Sequence, residues 1–346
     1  MMRRKWTKAY GSKFLRGLIL AIVLVWPLGL RASPDPKIIE GAKKEGQLIW
    51  WNTIAQDQCQ ILIEEFTKKY PFIKASYWRS GTVGLHNKVV LEARSGRYSW
   101  DVLSQTNPEY IVELKQKNLI APYHSLERSM FSEDLKDKEG YWTSTYALPT
   151  GLGYNTKLVK KEDAPRFYND LLDLKWKEKK ISIDNEGSEL LVGLIHAWGR
   201  DKALQYLTQL AAQEPVPGRG NTQRTQLLVI GEFPLAVAYT HTVEWSKFQG
   251  SPVDWVNLEP VVIKVDGIML GSKALHPNAG KLFIDFMLSQ QGQELLQRFR
   301  RVTLRTGVEP NPPRLIKGFE RVVLTPEHFQ NAPDSFKLYR EIFRLP

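Results

Sequence analysis

Cysteine is nearly absent from this chain of 346 residues: Cys59 stands alone, so no intrachain disulfide can form. It shares one helical face with Ile63, Phe66 and Tyr70, which predicts a small buried hydrophobe rather than a nucleophile. No cysteine closes the apolar N-terminal stretch either, which removes a lipid-anchored form. The six histidines (His86, His124, His196, His241, His276, His328) include no i, i+4 pair and no HExxH, and with no cysteine cluster they argue against a zinc site. GxSxG elbows and paired glycine-rich phosphate loops are missing as well. Asp184 and Glu186 are the only close carboxylates at a candidate cleft position, and their i, i+2 spacing after a strand fits a turn. Catalysis therefore has no carrier in the sequence, and the protein is expected not to be an enzyme. No basic stripe with interleaved aromatics occurs, so nucleic acid is not the expected partner. Internal repeats and low-complexity tracts are also lacking.

The charge that is present sits unevenly. The formal net charge is +11, but residues 1–32 hold seven basic residues (Arg3, Arg4, Lys5, Lys8, Lys13, Arg16, Arg31) and no acid, leaving 41 basic against 37 acidic, or +4. That basic stretch runs into the uncharged residues 18–30, too few for the about 20 that span a bilayer comfortably, and then reaches Ala32. The pattern reads as an export signal over residues 1–32, with the mature chain starting at Ser33 in the periplasm; an uncleaved anchor is the alternative. A hydrophobic share of 42% with 25% charged residues is globular composition, and the length suffices for two lobes.

Taken in order, a short helix over residues 36–45 precedes an apolar run, residues 47–51, that stops at Asn52 and Thr53. Helix 57–70, a strand alternating through Ile73, Ala75 and Tyr77, a helix capped by Thr82, a strand over 101–104 and a helix after Pro108 complete a βαβαβα series. Such alternation predicts a parallel sheet covered by helices, with ligands beyond the carboxyl ends of the strands. The polar residues there are Thr53, then Ser80, Gly81 and Thr82, then Thr106. Each group lies where a helix N-terminus presents unpaired N–H groups, a setting that suits an anion or only a cap.

Residues 141–157 read as the first of two passages between lobes. Leu148-Pro149-Thr150-Gly151 breaks any helix, and a short extended run follows over 152–155. Residues 234–241, ending in Tyr239 and His241, read as the second passage, so that the two strands form a hinge. The lobe between them repeats the pattern, with its own strand-end set at Gly187 and Ser188, Arg219 and Asn221, and Tyr239 and His241. Residues 261–263 and 267–270 are expected as a hairpin returning to the first lobe, and residues 281–299 as one long helix. The domains are then 33–148 with 242–300, 149–241, and a C-terminal helical segment, 301–346, of unassigned lobe.

The order of leader, βαβαβα lobe, GYNTKLV passage, second lobe, GEFPLAVAY passage and HPNAGKLFIDFMLSQQGQELL helix resembles the extracellular solute-binding proteins of bacterial ATP-binding-cassette importers. More closely, it is similar to the branch that includes the ferric-iron-binding proteins. The resemblance spans residues 39–299. It implies a two-lobed α/β fold of the type 2 periplasmic binding proteins, a monomer that closes on a small-molecule ligand and docks on an inner-membrane permease, and no cofactor. Iron-binding members carry two neighbouring tyrosines after the second passage, because Fe(III) favours anionic oxygen ligands; here Tyr239-Thr240-His241 offers one phenol, leaving Tyr239 and His241 as the only iron candidates. Gly187, Ser188 and Asn221 match positions that hold a small anion in that branch. The expectation is a receptor for a solute with an acidic group, contacted by Thr53, Ser80, Gly81, Thr82, Thr106, Thr150, Gly187, Ser188, Arg219, Asn221, Tyr239 and His241, with Trp51, Tyr154 and Tyr239 as an aromatic wall. Ferric-iron transport and a sensor that presents ligand to a signalling partner are the alternatives.

Overall fold

Strands and helices alternate from the first described residues, and the computed structural model describes residues 35–329 and 335–345. The expected leader lies outside them. Helix α1 (Pro36–Glu45) begins where Asp35 accepts a hydrogen bond from Lys37 N and stops at Gly46, whose φ of +64° makes a left-handed cap. Then come β1 (Gln47–Asn52), α2 (Gln56–Lys69), β2 (Lys74–Arg79), α3 (Thr82–Arg94), β3 (Val102–Gln105), α4 (Pro108–Gln116) and a short β4 (Ile120–Ala121). The predicted βαβαβα series is present, with β1 parallel to both β2 and β3.

The long β5 (Thr143–Asn155) leads to β6 (Ile181–Asp184), α5 (Ser188–Trp198), α6 (Arg200–Ala211), β7 (Val216–Gly218), α7 (Asn221–Ile230), β8 (Leu235–Tyr239), α8 (Thr240–Phe248) and β9 (Val253–Val256). The chain ends through β10 (Val261–Gly271), α9 (Pro277–Leu288), α10 (Gln290–Arg298), β11 (Val302–Thr303), β12 (Arg321–Leu324) and α11 (Ser335–Phe343). Strand order is β2-β1-β3-β10-β5-β8-β6-β7. Each part of the sheet buries apolar side chains on both faces, which is why its strands read as continuous hydrophobic runs. In the first part Trp50, Phe66 and Phe283 pack on one face and Trp51, Val89 and Met269 on the other. In the second, Leu191, Leu194 and Leu207 lie on one face and Leu228, Val243 and Trp255 on the other. Cys59 is buried as expected: its Sγ donates to Asn52 Oδ1 at 3.0 Å, and burial pushes the thiol up to about 12.

The crossing strands differ from the expected pair. β5 is one continuous strand whose first half, through Pro149, pairs with β10, while Thr150–Tyr154 pairs with β8 on one side and Leu152–Asn155 with β9 on the other. Pro149, opposite Ile263, is the last residue of β5 paired with β10, where the partner on the other edge changes from β11 to β8. β8, expected as the return passage, pairs with β5 and β6 and stays in the second part. The return is β10 alone. Residues 242–260, expected in the first lobe, form α8 and β9, and β9 lies against the second half of β5. The expected hairpin is absent because Lys264 and Asp266, charged residues that resemble a turn in sequence, are buried with side-chain partners inside the strand. A register shift between Asp266 and Gly267 is the only break. The expected long helix is likewise two, divided at Ser289, whose hydroxyl caps α10 by accepting from Gly292 N. Gly81, rather than Thr82, occupies the N-cap position of α3.

The C-terminal segment touches both parts. β11 pairs with Ala147 and Tyr146 of β5, β12 runs parallel to the start of β10, and α11 packs on α5 and α6. At its start, Ser335 Oγ donates to Glu109 Oε1 of α4 at 3.0 Å.

Candidate functional site

At the carboxyl end of β6 and β8 the predicted residues are gathered, but mostly for one another. Asn221 donates to Asp184 Oδ2 at 3.2 Å and accepts from Tyr239 N at 2.9 Å. Beneath it Arg224, which the sequence reading missed, donates to Asp184 Oδ2, Asn221 Oδ1 and Val237 O. The Tyr239 hydroxyl donates to Glu189 Oε1 at 3.0 Å, and Lys264 of β10 donates to the same oxygen at 2.8 Å. Burial, and then the Glu189 charge, holds the Tyr239 phenol well above its ordinary range, so the phenolate that a hard metal ion needs is disfavoured. Among the described residues no group of three or more His, Cys, Asp or Glu could hold a metal ion.

The N-terminus of α5 is covered. Tyr339 of α11 is 1% exposed, its hydroxyl donates to Asp184 O at 2.8 Å, and a Cβ at Gly187 would come within 3.0 Å of that hydroxyl. The crevice lined by Thr150, Gly187, Asn221, Tyr239 and Tyr339 has room for little more than a water molecule or two. Ser188 is buried in the first turn of α5. Arg219 is exposed and stands 3.6 Å from Glu186, whose carboxyl is raised by burial and then by Asp184. Glu109, across from α5 on α4, is also raised, first by burial. Carboxylates crowd this end.

At the carboxyl ends of β1 to β3, Thr82 and Thr106 share a hydrogen bond of 2.9 Å, and Gln105 ties the loop by accepting from Thr106 N and donating to Thr82 O. Gly81 is exposed and Ser80 partly so. Asn52 Oδ1 accepts from Ile54 N and Cys59 Sγ, while its Nδ2 has no partner. Thr53 lies against the Tyr146 phenol.

A stack of rings joins the two ends. Tyr239 stacks on His241 with centroids 5.9 Å apart, His241 meets Tyr146 edge-on at 6.2 Å, and the Arg301 guanidinium lies 4.4 Å from the Tyr146 ring centre. His241 is held well below its ordinary range by burial and then by Arg301, so it is neutral, and its Nδ1 has no partner. The buried Thr240 hydroxyl has none either. Next to them, Thr145 Oγ1 donates to Asp266 Oδ2 at 2.5 Å, and burial pushes the Asp266 carboxyl up to about 7. Glu189, Arg224, Lys264, Asp266, Arg301 and Tyr339 were all missed from sequence. Lys264 and Asp266 inside an apolar run were the one local signal.

Comparison with known proteins agrees with this architecture. A family model described as bacterial extracellular solute-binding protein matches residues 98–315. An uncharacterized protein of Haemophilus influenzae is 26% identical over 268 residues, covering 73% of this chain and 76% of its own. Iron-bound HitA from Pseudomonas aeruginosa superposes with a TM-score of 0.74 at 21% identity, covering 86% of this chain and 99% of its own. The periplasmic binding protein AfuA from Actinobacillus pleuropneumoniae, with fructose-6-phosphate bound, gives 0.70 at 21% identity over 86% and 97%.

Proposed function

We propose, from the premise that the chain belongs to the bacterial extracellular solute-binding proteins, that it is the periplasmic receptor of an importer and takes a small organic solute bearing an acidic group. The fold is that of the type 2 periplasmic binding proteins, with β5 and β10 as the crossing strands. The first lobe holds residues 35–148 and 261–303, the second 149–260, and the C-terminal segment touches both. The solute lies between them, near Thr53, Ser80, Gly81, Thr82, Thr106, Thr150, Tyr239 and His241. The proposal includes docking as a monomer on an inner-membrane permease and binding without turnover, in keeping with a solute-binding family.

One observation carries this reading: Asn52 Nδ2, Thr240 Oγ1 and His241 Nδ1 are buried without partners where the strand ends of both parts meet. Other buried atoms among the described residues also lack partners, but these three stand at strand ends, where a bound solute satisfies them. Iron is the weaker reading, although HitA is iron-bound, because the single phenol is committed to Glu189. The phosphate ester seen with AfuA is an instance of the solute class meant here. A thermal-shift screen of organic carboxylates, phosphates and sulfonates against ferric salts tests the proposal. Stabilisation by at least one organic acid is expected; a response to ferric salts alone would sink it.

A further inference from the structure

Four basic side chains are buried among the described residues: Arg128, Arg224, Lys264 and Arg301. Three are anchored through their terminal nitrogens, although Arg224 Nε has no partner. Arg128 donates to the carbonyls of Trp142 and Asp137 and to the Thr143 hydroxyl, Arg224 pairs with Asp184, and Lys264 pairs with Glu189. Arg301 is different. Its only side-chain hydrogen bond runs from Nε to Gln58 Oε1, at 2.8 Å, and no carboxylate of the described residues, Asp266 included, lies within ion-pairing distance. Both Nη atoms are left without a protein partner although only 6% of the residue is exposed. The residue is buried, yet its unpartnered Nη atoms are not among the fully buried ones, so the end of the guanidinium fork is open to an incoming oxyanion.

The geometry points to Arg301 as the residue that receives the ligand's acidic group, an oxyanion such as a carboxylate or phosphate gripped by Nη1 and Nη2 over the Tyr146 ring. This rests on the acidic-solute reading above and adds where the acid goes. The guanidinium fork matches two oxygens of such a group, a match a lysine cannot reproduce. Backbone holds it in place: Arg301 N donates to Leu296 O, and Arg301 O accepts from Thr303 N. His241, whose Nδ1 has no partner, meets the same Tyr146 ring edge-on, and Thr240, whose hydroxyl has none either, directly precedes it in the chain. The rival position, the N-terminus of α5, is filled by Tyr339, and the cations nearest to it, Arg219, Arg224 and Lys264, are already paired with Glu186, Asp184 and Glu189.

The test uses the full chain with three probes, inorganic phosphate, fructose 6-phosphate and citrate, titrated into wild type, Arg301→Gln and Arg301→Lys and read by calorimetry and thermal shift against matched chloride. At least one probe binds wild type, Arg301→Gln weakens it by about 30-fold or more, and Arg301→Lys loses most of the affinity despite keeping the charge. The unliganded Arg301→Gln protein melts no lower than wild type, since the change removes an unpaired buried charge. Should that variant fail to fold, the Arg301→Lys comparison decides alone. Equal binding by wild type and the folded variants overturns the assignment to Arg301 and leaves the acidic-solute reading standing. Binding of no probe by wild type overturns both.

Discussion

Asp266 and Glu189 are carboxylates buried in or beside the same strand, β10, yet only Glu189 has a cation at ion-pairing distance. The Asp266 carboxyl is raised from 3.8 to about 7, so it binds its proton more tightly folded than unfolded. Its favourable contribution is complete below the unfolded value and is lost as pH rises through about 7. Asp266→Asn is therefore expected to stabilise the protein by about 4 kcal/mol at about pH 8 and by little at about pH 4, measured by urea unfolding at both. A gain independent of pH would contradict the assignment. Glu189 shows the converse case. Lys264→Met alone strands a buried carboxylate and is expected to cost about 3–5 kcal/mol, whereas Lys264→Met with Glu189→Gln, which keeps an acceptor for Tyr239, recovers most of that loss. Equal losses in the single and double variants, compared by chemical denaturation, would show that the pair does not act as one.

Elements differ in how plainly their sequences announce them. The first three βα units were legible because local alternation and helical spacing are short-range patterns that burial on both sheet faces enforces. β10 was not, because Lys264 and Asp266 imitate a turn unless their distant partners Glu189 and Thr145 are known. The return crossing was misplaced for the same reason: β8 ends in polar residues as a passage would, but pairing with β6 keeps it in place. At the site, strand-end residues such as Thr53, Asn221 and Tyr239 could be found from sequence. Arg301 and Tyr339 could not, since their partners Gln58 and Asp184 lie 243 and 155 residues away. Helix α11 thus has a role its position in the chain hides. Tyr339→Ala is expected to cost about 3 kcal/mol for the lost ring, and Tyr339→Phe about 1 kcal/mol for the lost hydrogen bond. If thermal unfolding leaves Tyr339→Ala unchanged, α11 does not seal the α5 terminus.

Across the whole molecule, the paired crossing strands β5 and β10, the ring stack from Tyr239 to Arg301 and the C-terminal segment that touches both parts form one scaffold, and the proposed guest completes the polar atoms it leaves unpartnered. The family supplies the solute-binding role, and the unpartnered atoms motivate the proposal of an acidic solute. Purifying the protein from its native compartment without unfolding it, and weighing it by native mass spectrometry before and after denaturation, tests this most directly. The account predicts a single organic acid released one-to-one, absent from Arg301→Gln prepared in the same way. A bare iron ion as the only cargo would contradict it.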